Sequence, residues 1–334
     1  MKGNLSLAVV GCGGIAQFMA LLAWLTPGVK LAAACDISRR RAEIFARKFR
    51  IPAVFTDYGE MLSAGGYDAV YLAVPHDLHF EMIRAAVDED FQIFTEKPIT
   101  RTFAEGEAVV AYAAEKNIKI GVNYQYRYDS GCHRIARAVQ SGVLGRVLYA
   151  RINVSWHRER KYFDDAPWHK SLAQAGGGTL ITQGSHLIDV VLWAVGSPPV
   201  SATGITTQTI FRDVEVEDYA AGTVTLENGA TIQITSSMVA AKEQPVSIEI
   251  YGERGIAIYS SNPLPRVKFI GINPKTERPS LWGFHALHRS LKGFRNWVLQ
   301  DEPYLIPGEE ALPALKVVEA IYQSAETGQR VEIQ

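Results

Sequence analysis

One six-residue stretch constrains this chain more than any other: Gly11-Cys12-Gly13-Gly14-Ile15-Ala16. It follows a compact apolar run (5–10) and opens a helical pattern (16–25) that stops near Pro27 and Gly28. Gly11 allows a tight turn, Gly13 lacks the Cβ that would stand against a pyrophosphate, and a small residue at 16 lets helix and strand approach. The helix N-terminus then offers N–H groups and a partial positive charge to phosphates. Twenty residues beyond Ala16, after a second apolar run (31–35), stands Asp36. An acid there accepts hydrogen bonds from the adenosine ribose, and its charge disfavours a 2′-phosphate. Motif, context and acid together predict a dinucleotide site that prefers NAD. Arg39, Arg40 and Arg41 keep NADP open, since one of them can grip a 2′-phosphate or stack on adenine. Arg40 is assigned to the cofactor on that ground.

The pattern around this turn repeats up to residue 122. Apolar runs at 53–55, 67–74, 92–95 and 118–122 alternate with helical patterns at 38–49, 78–88 and 103–116. Such alternation predicts βαβ units and a parallel sheet covered on both faces. Beyond 122 the texture changes to long alternating runs at 148–155, 201–211, 219–226, 231–238, 247–251 and 256–259, with the hairpin signal Asn228-Gly229 between two of them. Helical patterns cover 132–141, 176–193, 284–299 and 309–327, and 331–333 reads as a short strand. The expected fold class is α/β: a Rossmann dinucleotide-binding domain over 1–122, then an α+β substrate-binding and oligomerisation domain over 123–334 with a large, open-faced, mostly antiparallel sheet.

Composition removes several function classes. A net charge of −1 gives no bulk electrostatic footprint for nucleic acid. No apolar stretch reaches the roughly 18 residues of a membrane span. Three cysteines without a CxxC pair support neither a disulfide framework nor a structural zinc site, so no metal is expected. The start runs straight into a strand without a signal-peptide h-region, and a cytoplasmic protein is expected.

Glu96-Lys97-Pro98 ends the run 92–95, where ligands bind in open α/β sheets. Burial and the positive charge of NAD⁺ both lower a lysine pKa, which suits Lys97 to exchange a proton with a substrate hydroxyl near neutrality. Glu96 can contact the cofactor or orient the lysine. Ala73-Val74-Pro75-His76 ends another strand pattern, with His79 three residues on. In the helical pattern after Gly176-Gly177-Gly178, the spacing puts Thr182, His186 and Asp189 near one face. His186 is the acid/base candidate there, and Asp189 can fix its tautomer or bind a hydroxyl. Asn123 to Tyr128 and the set Trp156, His157, Arg158, Lys161, Tyr162, Trp168 and His169 supply aromatic faces with polar tips, as a carbohydrate wall would. Arg158, Arg160 and Lys161 also suit a carboxylate or phosphate, so a uronate or nucleotide sugar stays open.

GCGGIA, AVPHDLH, Glu96-Lys97-Pro98, GGGTLITQGSHLID and AIYQSAETGQRVEI, in this order, resemble the glucose–fructose oxidoreductase / inositol dehydrogenase / rhizopine catabolism (Gfo/Idh/MocA) family over nearly the whole chain. The resemblance implies hydride transfer between a nicotinamide and a sugar, polyol or related carbonyl compound. It also implies a cis Lys97–Pro98 peptide and a loop bearing Trp168 that leads to the nicotinamide. The family's polyol dehydrogenases usually carry Asp where this chain has Thr182, so Thr182 is read as substrate-facing and not as an acid/base.

The resulting assignment makes Lys97 and His186 catalytic. Gly11, Gly13, Gly14, Ile15, Ala16, Asp36, Arg40, Ala73, Val74, Pro75, His76, His79, Glu96, Lys97, Gln125 and Trp168 are given to the cofactor. Lys97, Arg127, Trp156, Arg158, Tyr162, Thr182, His186 and Asp189 are given to a sugar-like substrate. A homodimer or homotetramer through the second-domain sheet is expected, with no nucleic acid or membrane partner. Two alternatives remain: a cofactor-binding regulator without turnover, and a reductase of another carbonyl or imine class, of dihydrodiol or biliverdin type.

Overall fold

The computed structural model describes residues 3–261, 265–274 and 285–333. Six strands form the first sheet: β1 (Leu5–Val10), β2 (Val29–Cys35), β3 (Ala53–Phe55), β4 (Ala69–Leu72), β5 (Gln92–Thr95) and β6 (Ile120–Val122). Their order is β3-β2-β1-β4-β5-β6, and every pair is parallel. β4 is buried at all four positions, as a strand with both faces covered must be. The covering helices are α1 (Gly14–Trp24), α2 (Arg39–Phe49), α3 (Tyr58–Ala64), α4 (His79–Asp88) and α5 (Phe103–Glu115). Local chemistry starts several of them. The Ser38 hydroxyl caps α2, and Thr102 with Glu105 forms a full capping box at α5. Helix α3 is absent from the periodicity reading because seven residues are too few to show a period. Its signal is the Asp57 cap with Glu60 three residues on. The order reverses between β2-β1 and β1-β4, so ligands are expected beyond the carboxyl ends of these strands.

The second sheet has eight strands: β7 (Val147–Ser155), β8 (Pro199–Thr207), β9 (Tyr219–Leu226), β10 (Thr231–Ser237), β11 (Ser247–Gly252), β12 (Ile256–Ser260), β13 (Arg266–Ile270) and β14 (Val331–Glu332). They run β13-β12-β11-β7-β10-β9-β8-β14, antiparallel except for β10 beside β7. Along β7, Ala150, Ile152 and Val154 are buried and alternate with Tyr149, Arg151 and Asn153, which keep solvent contact. α6 (Ser130–Gln140), α7 (Arg160–Asp165), the single turn α8 (Leu172–Ala175) and α9 (Ser185–Val195) complete this part. Strand β8 stops at Thr207, short of the expected 211, because the Asp218 carboxylate gathers the N–H groups of Thr209, Ile210 and Phe211 into a loop.

Two long helices follow, α10 (Ala286–Gln300) and α11 (Gly308–Thr327). The expected helix start at Phe284 lies outside the described residues. The chain divides into two compact units, one reaching Gln125 and taking back the described residues from His285 to Ala311, the other holding the rest. The sequence pattern alone puts everything after 122 in one domain. Packing explains the difference: Phe294 of α10 stacks on Phe94 of β5 with ring centroids 4.9 Å apart, and a Cβ on Gly121 would fall 2.6 Å from the Phe294 ring. In the second unit, Ile321 of α11 lies against the bare backbones of Gly204 and Gly222, where a Cβ would meet it at 2.6 Å and 3.0 Å.

Candidate active site

In the first unit, parallel strands bring four sequence motifs to one sheet edge. Gly11 follows β1 with φ +82°, and a Cβ there would lie 2.2 Å from the Ala73 carbonyl oxygen. Only glycine meets both demands. Gly13 and Gly14 face open space, with no described atom within 4 Å of where a Cβ would stand. Gly13 caps α1 without any side-chain hydrogen bond, which leaves the first-turn N–H groups to a phosphate. Ile15 is exposed and Ala16 fully buried against the sheet. Asp36, after β2, accepts from the Cys12 N–H at 3.0 Å and the Ser38 N–H at 2.8 Å. Burial opposes its ionisation, but these donors and the Arg41 guanidinium outweigh it and hold the carboxyl below its usual range. The arginine on Asp36 is Arg41, at 2.9 Å and 3.0 Å, and not Arg40, which points its side of the helix to solvent. An open glycine cradle, uncapped N–H groups and an ionised acid fit a dinucleotide with free ribose hydroxyls.

At the same edge Glu96 accepts from the Tyr71 hydroxyl at 2.5 Å and the Asn123 amide at 2.7 Å. Burial raises the Glu96 pKa, and those two donors and Lys97 offset it only in part. Lys97 keeps some solvent contact but is packed deeply enough that desolvation, against the pull of Glu96, lowers its pKa to about 8. The Lys97–Pro98 peptide is cis. His79, expected along the cofactor, is fully buried and its ring is spent on backbone: Nδ1 lies 2.9 Å from the Pro98 oxygen and Nε2 3.1 Å from the Val74 oxygen. It ties the 73–76 loop to the Lys97 loop. His76 is buried with its ring 5.8 Å from that of His79. The Oδ1 atom of Asn123 is buried with no hydrogen-bond partner among the described residues, an acceptor left over beside Glu96. Sequence reasoning does not single out Tyr71 or assign Asn123. A tyrosine inside a fully buried strand is the available signal, since its hydroxyl needs a partner.

The second unit carries the other candidates. The helical pattern after the three glycines is broken by a π-helical turn, Leu180–Gly184, before α9 begins. The Thr182 hydroxyl donates to the Gly178 oxygen at 2.6 Å and shares a hydrogen bond with Tyr162. His186 is 6% exposed, its ring 5.4 Å from that of Tyr126. The sequence pattern assigns Arg127 and Asp189 to the substrate; the structure gives them to each other. Nε and Nη2 of Arg127 reach the two Asp189 oxygens at 2.9 Å and 2.8 Å, with both residues at 2% exposure or less. The Arg127 guanidinium also lies 5.5 Å from the Trp193 ring. The pair is a buried brace one helical turn beyond His186.

The aromatic loop is ordered by stacking. Tyr162 and His169 are parallel at 4.2 Å, and Trp168 leans on His169 at 3.9 Å. Arg158 lies over Trp156 at 4.8 Å and Tyr162 at 5.7 Å, with Glu243 at 3.5 Å. Of the other two basic candidates, Arg160 pairs with Asp164 and Asp213, and Lys161 with Asp165. All three pair with surface acids, and of the three it is Arg158 that also lies over aromatic rings. Gln125 is half-buried in the first unit.

Fold and donor set define a dinucleotide-binding unit followed by an open mixed sheet. The family description "Oxidoreductase family, NAD-binding Rossmann fold" matches residues 5–124, and "GFO/IDH/MocA C-terminal domain" matches residues 132–258. The chain belongs to the Gfo/Idh/MocA family and is an NAD(P)-dependent oxidoreductase. It is 27% identical to D-xylose 1-dehydrogenase (NADP(+)) 2 of Haloferax volcanii, over 97% of this chain and 98% of that one. It is 26% identical to D-glucoside 3-dehydrogenase of Escherichia coli, over 98% and 97%. Among solved structures, the WlbA dehydrogenase of Bordetella pertussis, in complex with NADH and UDP-GlcNAcA, superposes with a TM-score of 0.92 at 25% identity, covering 100% of this chain and 99% of that one. No helix among the described residues is long and apolar enough to cross a membrane.

Proposed function

We propose that this protein oxidises a CH–OH group of a sugar or sugar derivative, or reduces the matching carbonyl, with a preference for NAD and with Lys97 as the acid/base. The observation that carries this is the Lys97 ammonium, held at about pKa 8 beyond β5 on the sheet edge that also bears the glycine cradle. In the oxidative direction, neutral Lys97 Nζ takes the hydroxyl proton while the C–O bond gains its second bond and the hydride leaves carbon. Bound nicotinamide supplies the two-electron acceptor. Glu96, fixed by Tyr71 and Asn123, keeps a carboxyl next to the lysine and limits how far its pKa falls. Asp36 binds the ribose hydroxyls after Arg41 shifts aside or stacks on the adenine. His186 assists with a hydrogen bond to the reacting oxygen, and Thr182 binds a substrate hydroxyl. Arg158 with Trp156 and Tyr162 contacts the sugar ring or an anionic group on it. Gln125 adds to the cofactor wall of the first unit, and Trp168 is a cofactor contact on the ground of the family resemblance.

The relatives act, by name, on aldose and glycoside substrates, and an anionic sugar accompanies one structural neighbour; this supports a sugar substrate here. We also propose a cytoplasmic homodimer or homotetramer joined through the outer face of the eight-stranded sheet. The test is reduced-nicotinamide absorbance with NAD⁺ across sugars, polyols, uronates and nucleotide sugars. Signal growth with one class is expected. A flat trace across the panel with cofactor bound contradicts the sugar assignment and favours the regulator or the reductase of another carbonyl or imine class.

A further inference from the structure

The three glycines before the π-turn meet two residues to which sequence reasoning assigns no role, Glu217 and, within the AIYQSAETGQRVEI stretch, Tyr322. The Glu217 carboxylate, in the loop before β9, accepts from the Gly178 N–H at 2.6 Å and the Leu180 N–H at 2.8 Å. The Tyr322 hydroxyl, from α11, donates to the same carboxylate at 3.0 Å and accepts from the Ile181 N–H at 3.3 Å. The Thr179 N–H donates to the Glu217 carbonyl at 3.1 Å. Four consecutive N–H groups, 178 to 181, which open a helical segment and have no partner of their own inside it, therefore end on two residues. The fit is tight enough to demand glycine. A Cβ on Gly177 would lie 2.1 Å from the Tyr322 oxygen, and one on Gly178 would lie 1.8 Å from the Glu217 carbonyl oxygen. Glu217 is buried, at 8% exposure, and Tyr322 is half-buried; desolvation raises the pKa of each.

What this clamp fixes is the start of the segment that bears the second unit's candidates. Thr182 receives its position from Gly178, since both its N–H and its hydroxyl donate to the Gly178 oxygen, at 3.1 Å and 2.6 Å. The next turn carries His186. The π-turn inserts a residue between the clamp and α9, and such single turns are rare overall and frequent at functional sites. Second-strand support comes from Ser236 on β10, whose hydroxyl meets the Thr179 hydroxyl at 2.9 Å and donates to its carbonyl at 3.0 Å.

We infer that Glu217 and Tyr322 are positioning residues of the reaction: by gripping the N–H groups of residues 178 to 181 they set where Thr182 and His186 stand. This rests on the reading that Thr182 and His186 serve the substrate. Misplacing a reacting group by about 1 Å costs up to roughly 100-fold in rate, so a loosened clamp acts on turnover before it acts on folding.

The test uses the full-length protein with the substrate found by the panel. Glu217→Gln replaces one acceptor oxygen by an NH₂ group that faces N–H donors, and Tyr322→Phe removes one hydroxyl. The inference expects kcat to fall about 10- to 100-fold in Glu217→Gln and about 3- to 10-fold in Tyr322→Phe, the range of one neutral hydrogen bond. NADH affinity stays unchanged, since the glycine cradle and Asp36 are in the other unit and Trp168 lies outside the gripped residues 178 to 181. His186→Ala made in parallel separates the premise from the inference. If His186→Ala slows turnover while both clamp variants keep wild-type kcat and KM, the clamp is overturned and the reading of His186 stands. If His186→Ala is itself silent, the reading of His186 fails and the inference falls with it. Should Glu217→Gln fail to fold, the kcat of Tyr322→Phe decides, and a kcat loss accompanied by an equal loss of NADH affinity also overturns the inference.

Discussion

The two units hold their candidate groups in different ways. In the first, each group sits in a short loop at a strand end, and its position follows from local chemistry: positive φ at Gly11, a cis peptide at Lys97–Pro98, a cap at Ser38. In the second, Thr182 and His186 ride on a buried helical segment whose start is gripped by a residue 39 positions from Gly178 and by another 141 positions from Ile181. Strand-end loops are positioned by the sheet, and the helix is positioned by partners remote in sequence. The difference teaches where to look for fragility. A change in the first unit should alter chemistry or cofactor choice, and a change in the second should alter packing as well.

The largest effect on that contrast is expected at the Arg127–Asp189 brace. Arg127→Ala leaves a carboxylate buried without its guanidinium, and loss of one partner of such a pair costs about 3–5 kcal/mol. Urea denaturation at neutral pH should show a loss of that size, and a change below about 1 kcal/mol would deny the brace a structural role. Next comes Glu217. Its pKa is about 7 in the folded protein against an ordinary 4.5. A carboxyl with a raised folded pKa is most favourable to folding below pH 4.5, and that contribution is lost as pH rises through 7. At 1.36 kcal/mol per unit the loss is on the order of 3 kcal/mol. Stability measured at pH 5 and pH 7.5 should therefore fall more in the wild type than in Glu217→Gln, by about that amount. Equal falls would remove the buried carboxyl from the account.

Asp36 should respond in chemistry instead. Asp36→Ala removes the ribose acceptor and the charge that opposes a 2′-phosphate, and leaves Arg41 beside the pocket. The ratio of NAD to NADP affinity should drop by about 10-fold or more, the value of one to two charged hydrogen bonds. An unchanged ratio would move the choice of cofactor to other residues.

The same contrast explains what could be read from the chain. Strand bounds at 5–10, 53–55 and 92–95 and the glycine cradle were legible because apolar runs and turn residues are local signals. Strand β13 was not, since Arg266 and Lys268 alternate through it as expected of an exposed edge. The helix over 176–193 was legible as a helix, but its π-turn was not, because the contacts that hold the turn come from Glu217 and Tyr322. Arg127 and Asp189 were legible as polar residues worth notice. Nothing local says that two such residues 62 positions apart meet. His79 was placed correctly on its helix, yet its two carbonyl contacts depend on the fold of two separate loops.

The most direct test of Lys97 as acid/base is the pH dependence of kcat/KM for oxidation, in the wild type and in Lys97→Met. Lysine must be neutral to take the hydroxyl proton, so the wild-type rate should rise with pH through a midpoint near the lysine's lowered value of about 8. The variant should be slower by about 10²- to 10⁴-fold and should lack that rise. A variant that keeps the wild-type rate, or one that keeps the rising limb at the same midpoint, would contradict Lys97 as the group that moves the proton.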